Sequence, residues 1–138
     1  MNHLLLLFVI LLGANYTATA QQLNADSPYM TKDELVSHYD LDESQAAEID
    51  RIIDQRESNL SSLEAFTIQD TELYWNKRRA IYFGELTSIR LILDKPDQFD
   101  IHDAELRDQR KAETELVREL VAAGHEPKAA RLLMLERY

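Results

Sequence analysis

From residue 21 to residue 138 there are only two glycines, Gly84 and Gly124, and three prolines, Pro28, Pro96 and Pro127. Hairpin-rich β architectures close their turns with residues at positive φ and need many more such positions. A chain this poor in turn formers has to cover its length in a few long helices. It also has no cysteine, which removes disulfides, zinc–thiolate sites and cysteine nucleophiles from consideration.

The first twenty residues stand apart from this pattern. Leu4 to Leu12 is an unbroken apolar run, followed by Gly13, the polar Asn15 and Thr17, and then Ala18-Thr19-Ala20. That order is a secretory h-region closed by an Ala-x-Ala site, so residues 1–20 are expected to be a signal peptide cleaved after Ala20. The run is under half of the roughly 20 apolar residues that cross a bilayer, and no integral membrane span is expected after cleavage. Residues 21–30 show no periodicity and read as a flexible leader, which leaves 31–138 as one helical domain. An exported domain without disulfides must be held by packing alone, which suits a bacterial periplasm.

Helix boundaries are marked locally. Thr31 with Glu34 predicts a capping box opening a short helix through Tyr39. Leu41, Asp42 and Gln45 form the clearest start signal: Asp42 caps, Gln45 reaches back to its amide, and Leu41 can pack on Ala46 as a staple. Ile49, Ile52, Ile53, Leu60 and Leu63 then recur with helical spacing, predicting about 25 residues and nearly 40 Å of helix to Phe66. A third helix is expected from Asp70 or Thr71, with Tyr74, Trp75, Ile81, Tyr82, Leu86, Ile89, Ile92 and Leu93 on a broad apolar arc. Gly84 inside it suggests a close helix approach. Pro96 is read as its stop, 94–100 as a loop, and Asp100 with Asp103 as the start of a fourth helix through Leu106, Leu116, Leu120 and Val121 to Gly124 at C′. Pro127 opens a last short helix through Ala130, Leu133 and Met134. The fold class is therefore all-α, a single domain of four to five helices in long antiparallel hairpins.

The formal net charge of −10 is unevenly placed. Residues 41–66 carry seven acidic and two basic side chains and residues 94–123 nine and five, whereas 67–93 carry three acidic and four basic. A mildly basic helix between two acidic ones is favourable electrostatics. The excess of acid also argues against a nucleic-acid partner, which requires a surplus of Lys and Arg. The basic run Lys77-Arg78-Arg79 sits among Tyr74, Trp75, Tyr82 and Phe83. Guanidinium groups beside aromatic rings make an adaptable surface for other polypeptides, so Tyr74, Trp75, Arg78, Arg79, Tyr82 and Phe83 are the candidate partner-binding residues. The competing reading makes Trp75, Tyr82 and Leu86 ordinary core at helical spacing.

Catalytic patterns are missing. There is no glycine-rich phosphate loop and no Gly-x-Ser-x-Gly elbow, and the carboxylates are spread along polar faces. No enzyme and no cofactor is expected. Among His38, His102 and His125, none lies within four residues of another, so no two-histidine metal face exists. Weak sites could form from His38 with Glu34 and Asp42, or from His102 with Asp103, but surface histidines near helix ends are the simpler expectation. Asp40-x-Asp42-x-Ser44 imitates a calcium loop, yet Gln45 and Arg51 stand where glycine and glutamate are needed.

Leu41-Asp42-Glu43-Ser44-Gln45, with the amphipathic helix after it, resembles the Leu-Thr-x-x-Gln motif of the periplasmic Spy/CpxP family, which includes metal-responsive relatives. A degenerate second copy is Leu93-Asp94-Lys95-Pro96-Asp97-Gln98, fifty-two residues on. The likeness spans Asp33 to Arg118. Asp replaces Thr in both copies, a mild change because both residues cap helices, and the second copy has one extra residue before its glutamine. The resemblance implies a small helical homodimer forming a curved cradle that binds unfolded clients or restrains an envelope-stress sensor. It carries over no metal-binding residues, since no matching histidine pair is present. The expectation is therefore an exported, non-enzymatic protein that binds other proteins or unfolded polypeptides as a periplasmic chaperone or stress adaptor. A metal-binding sensor and a structural subunit of one envelope complex are the alternatives.

Overall fold

A computed structural model describes residues 27–66 and 70–138; the expected signal peptide and residues 21–26 of the expected leader lie outside them. Among the described residues there are five α-helices and no strand: α1 (Lys32–Tyr39), α2 (Glu43–Ser62), α3 (Thr71–Ile92), α4 (Pro96–Ala122) and α5 (Pro127–Leu135), with a 3-10 turn at Glu64–Phe66. The chain is all-α, as its poverty in turn residues requires.

Several ends form where local chemistry places them. Thr31 and Asp42 each complete a capping box, with Glu34 and Gln45 respectively, and Asp70 accepts from the Leu73 amide at 2.9 Å. Gly124, at φ 98°, ends α4 in a Schellman arrangement: its amide donates to Val121 O at 3.0 Å and the His125 amide to Leu120 O at 3.1 Å. Pro127 is the first residue of α5.

Three expectations need correction. The second helix is 20 residues long rather than about 25, near 30 Å. Ser62 Oγ donates to Asn59 O at 2.7 Å, the serine competition that weakens a last turn, and the chain tightens into the 3-10 turn. The segment 94–100 is not a loop, because α4 begins at Pro96. Proline lacks only an amide that the first turn leaves free anyway, and its fixed φ suits that position; Pro96 starts the fourth helix as well as ending the third. Finally, a Cβ at Gly84 would meet nothing within 4 Å, so no close approach occurs there.

Paired positions run in opposite directions along neighbouring helices. Gln45 reaches Ile92 while Arg56 reaches Glu85, and Arg79 reaches Glu113 while Arg90 reaches Asp103. α2, α3 and α4 are thus successive antiparallel neighbours. The core gathers Tyr39, Leu41, Ile49, Ile52, Tyr82, Leu86, Ile89, Leu93, Met134, Leu135 and Tyr138. α3 with its C-cap Leu93 supplies one tight stripe, Tyr82, Leu86, Ile89 and Leu93, while its outer arc, including Trp75, Phe83 and Ile92, is half-buried. α4 behaves differently: its buried residues are Gln98, His102 and Glu113, all polar. Val121, expected on its apolar face, is 41% exposed. The leader also ends earlier than residue 30, since Tyr29 and Met30 pack against the core.

Candidate functional site

The two glutamines of the repeated segment meet in the interior. Gln45 Nε2 donates to Gln98 Oε1 and Gln98 Nε2 donates back to Gln45 Oε1, both at 3.0 Å. Each glutamine also serves its own helix start, Gln45 Oε1 accepting from the Asp42 amide at 3.1 Å and Gln98 Oε1 from the Asp94 and Lys95 amides at 3.2 Å. The extra residue in the second copy has a visible effect: the cap position falls on Lys95, which makes no side-chain cap bond. The displaced Asp94 carboxylate instead lies 3.1 Å from Gln45 Nε2. Asp40, in the left-handed region at φ 48°, turns its carbonyl toward Gln98 Nε2 and Lys95 Nζ, each 3.1 Å away. Leu41, Asp42 and Gln45 thus act structurally, tying three helix ends together.

The candidate partner-binding residues divide between surface and interior. Tyr74 and Trp75 are half-buried with ring centroids 4.9 Å apart. The Arg78 guanidinium lies over both, 5.7 Å from the Tyr74 centroid and 5.3 Å from that of Trp75, and donates to Tyr74 Oη at 3.1 Å. Leu73 beside them is 41% exposed, and Lys77 lies over Phe66. These residues form a half-buried aromatic–cationic face with Leu73 exposed at its edge. Tyr82 does not belong to it: it is 4% exposed, among the rings of Tyr29, Phe83 and Tyr138, and burial pushes its hydroxyl pKa up to about 12. Arg79 is engaged too, donating to Glu113 through Nε at 2.5 Å and Nη2 at 2.8 Å while stacking on half-buried Phe83.

Behind this face is a group that motif reasoning missed. Arg56 and Glu85 are both buried and joined Nη1 to Oε1 at 2.7 Å. Burial lifts the Glu85 carboxyl above its ordinary pKa despite the guanidinium. Arg56 also donates to Met30 O at 3.0 Å and lies 5.1 Å from the centroid of Tyr29, whose hydroxyl donates to Arg78 O at 3.3 Å. A signal for the pair existed: Arg56 interrupts the stripe of Ile49, Ile52 and Leu63, and Glu85 falls between Tyr82, Leu86 and Ile89. A charge on an apolar stripe needs a partner, and two facing helices each carried one.

The histidines correct a further expectation. His102 is not at the surface; it is fully buried in α4, with Nε2 2.8 Å from Leu86 O and Nδ1 3.5 Å from Asp103. A carbonyl acceptor for Nε2 defines a structural histidine that ties α4 to α3. His38 is exposed at the end of α1, 3.6 Å from Glu105, which accepts a short hydrogen bond from Tyr39 Oη. No group of three metal-ligating side chains forms among the described residues. Two clefts flank the centre: one of about 610 Å³ lined by Met30, His38, Tyr82, Ile101, Glu105 and Gln109, and one of about 410 Å³ lined by Asn76, Arg79, Glu113, Val117, Arg131 and Met134.

No family model matches the chain, and neither a curated protein nor a solved structure matches it.

Proposed function

We propose that this is an exported, non-enzymatic protein of the periplasm that binds other polypeptides, as a chaperone or envelope-stress adaptor, and that it works as a homodimer. The observation carrying the proposal is the face of α3 on which Leu73, Tyr74 and Trp75 stand beside the Arg78 guanidinium. Such a surface offers apolar area and cation–π contact without demanding one sequence. The resemblance to the Spy/CpxP family is supported by the glutamines of the two Leu-Asp…Gln segments, each of which accepts from the amide that opens its own helix and bonds the other reciprocally. The acidic surroundings keep the basic strip of α3 a local feature, suited to client segments that combine apolar and acidic side chains.

Aggregation of a chemically denatured model client, followed by light scattering, tests this reading. Suppression is expected at a few-fold molar excess, and Trp75→Ala with Arg78→Ala should remove most of it while leaving the far-ultraviolet circular dichroism unchanged. Aggregation that proceeds equally with and without the protein would end the chaperone reading.

A further inference from the structure

The aromatic face of α3 continues inward, through Arg78, to a slot that already holds a peptide. Tyr29 and Met30 lie in no helix or strand. The Tyr29 ring stands between the Arg56 guanidinium, 5.1 Å from its centroid, and the Tyr82 ring, 5.9 Å away. The carbonyl of Met30 takes a hydrogen bond from Arg56 Nη1. We propose that this slot is a docking site for an extended peptide carrying an aromatic residue followed by an apolar one, and that the chain's own Tyr29-Met30 is a resident occupant which such a peptide displaces. The inference deepens the polypeptide-binding reading and rests on it.

Three features favour a displaceable occupant over a fixed part of the core. The walls do not depend on it: Arg56 is held by Glu85 at 2.7 Å and Tyr82 by Tyr138 and Phe83. The occupant leaves a donor beside it unused, although its hydroxyl donates to Arg78 O at 3.3 Å. Beside it Arg78 Nε is buried without an acceptor, a donor that a better ligand would satisfy. The segment also has no helix of its own, and Thr31 and Glu34 close the cap of α1 immediately after it. Residues 27–30 can therefore swing about Thr31 without unwinding a helix.

The surroundings suit a longer ligand. The cleft of about 610 Å³ begins at Pro28, Met30 and Tyr82 and runs over Ile101, Ala104 and Ala112, with His38, Glu105, Asp108, Gln109 and Arg137 along it, a mixed apolar and polar floor for the residues that flank an aromatic anchor. Recognition through a main-chain carbonyl and one ring slot is tolerant of sequence, the property that extended-peptide binders exploit. Tethering gives the resident segment a high effective concentration, so a free peptide binds weakly until the tether is loosened.

The test uses a fluorescent peptide with the sequence of residues 24–33, titrated by anisotropy against the full chain. Tyr29→Ala is expected to bind it about tenfold more tightly than the unmodified protein, and a peptide with alanine in place of its tyrosine should not bind. Pro28→Gly loosens the segment while keeping the Tyr29 and Met30 side chains, and is expected to give a smaller gain in the same direction; if Tyr29→Ala does not fold, this variant decides. Folded variants that bind no better than the parent, or equal binding of the alanine peptide, would overturn the proposal. Tight peptide binding without suppression of client aggregation would keep the slot and end the chaperone reading. Client suppression unchanged in Tyr29→Ala, with no peptide binding, would do the reverse.

Discussion

Six residues apart on α3, Glu85 and Arg79 form ion pairs with opposite neighbours. Glu85 offers a carboxylate to Arg56 of α2, and Arg79 a guanidinium to Glu113 of α4. In the first pair both side chains are sealed off, at 8% and 5% exposed, whereas in the second Arg79 is 36% and Glu113 11% exposed. The carboxyl groups nevertheless shift in opposite directions. Burial raises Glu85, and its single bond to Arg56 does not offset that. Burial also pushes Glu113 upward, but two bonds from Arg79 and one from Tyr138 Oη at 2.7 Å bring it below its ordinary value. The number of donors on a half-sheltered carboxylate decides its state more than the presence of one arginine does.

The largest expected effect comes from the sealed pair. Arg56→Met leaves an uncompensated buried carboxylate and should lower unfolding stability by about 3–5 kcal/mol, whereas Arg56→Met with Glu85→Leu should return to within about 1 kcal/mol of the parent or exceed it. Urea unfolding of the two variants measures this. A loss below about 1 kcal/mol in the single variant would mean that water already reaches Glu85 and would break the contrast. Arg79→Met removes two charge-assisted bonds but leaves Tyr138 on Glu113 and solvent nearby, so a smaller loss of about 1–2 kcal/mol is expected by the same measurement.

Acid sharpens the comparison. Glu113, lowered in the folded state, adds stability above its unfolded pKa, and that contribution disappears as pH falls through its folded value. Glu85, raised in the folded state, has its favourable contribution below its unfolded pKa and loses it as pH rises through its folded value. Relative to the parent, Glu113→Gln should therefore be most costly near neutrality and progressively less so in acid. Glu85→Gln should become relatively more favourable as pH rises from acid toward neutrality. Denaturant midpoints across that range read both slopes; parallel slopes would mean that the two sites do not differ.

Features decided within a few residues were legible in the sequence. Asp42 with Gln45, Asp70 and Gly124 each act on amides or carbonyls close by in the chain and Pro127 acts through its own fixed φ, and the shortage of turn residues settled the all-α class. Pro96 carries two signals at once, because proline both terminates a helix and begins one; only the next apolar register separates the two. Features decided at long range were not legible. His102 looks like any helix-start histidine until Leu86 O meets it, and Tyr29 has no periodic neighbour to reveal that it packs on Tyr82. Of the six candidate contact residues, Tyr74, Trp75 and Arg78 form the half-buried aromatic–cationic face, while Tyr82 and Arg79 are taken up by packing and by Glu113. Composition names aromatic and basic residues together, but not which side of the helix each will occupy.

The amide pair between Gln45 and Gln98 has a kinetic consequence. It spans 53 residues, and it can form only after the α2–α3 hairpin has closed and brought the two helix starts together. Contacts at that separation reward the chain late, since the intervening loop must be ordered first. Until then Gln98 lacks its long-range partner, and the start of α4 has no cap from the Lys95 side chain to hold it. The amides of Asp42, Asp94 and Lys95 should accordingly exchange with solvent as one cooperative unit, although two of them lead into a helix far along the chain from the third. In a growing polypeptide the fourth helix would then be the element whose first turn becomes permanent only when the second has already found its place.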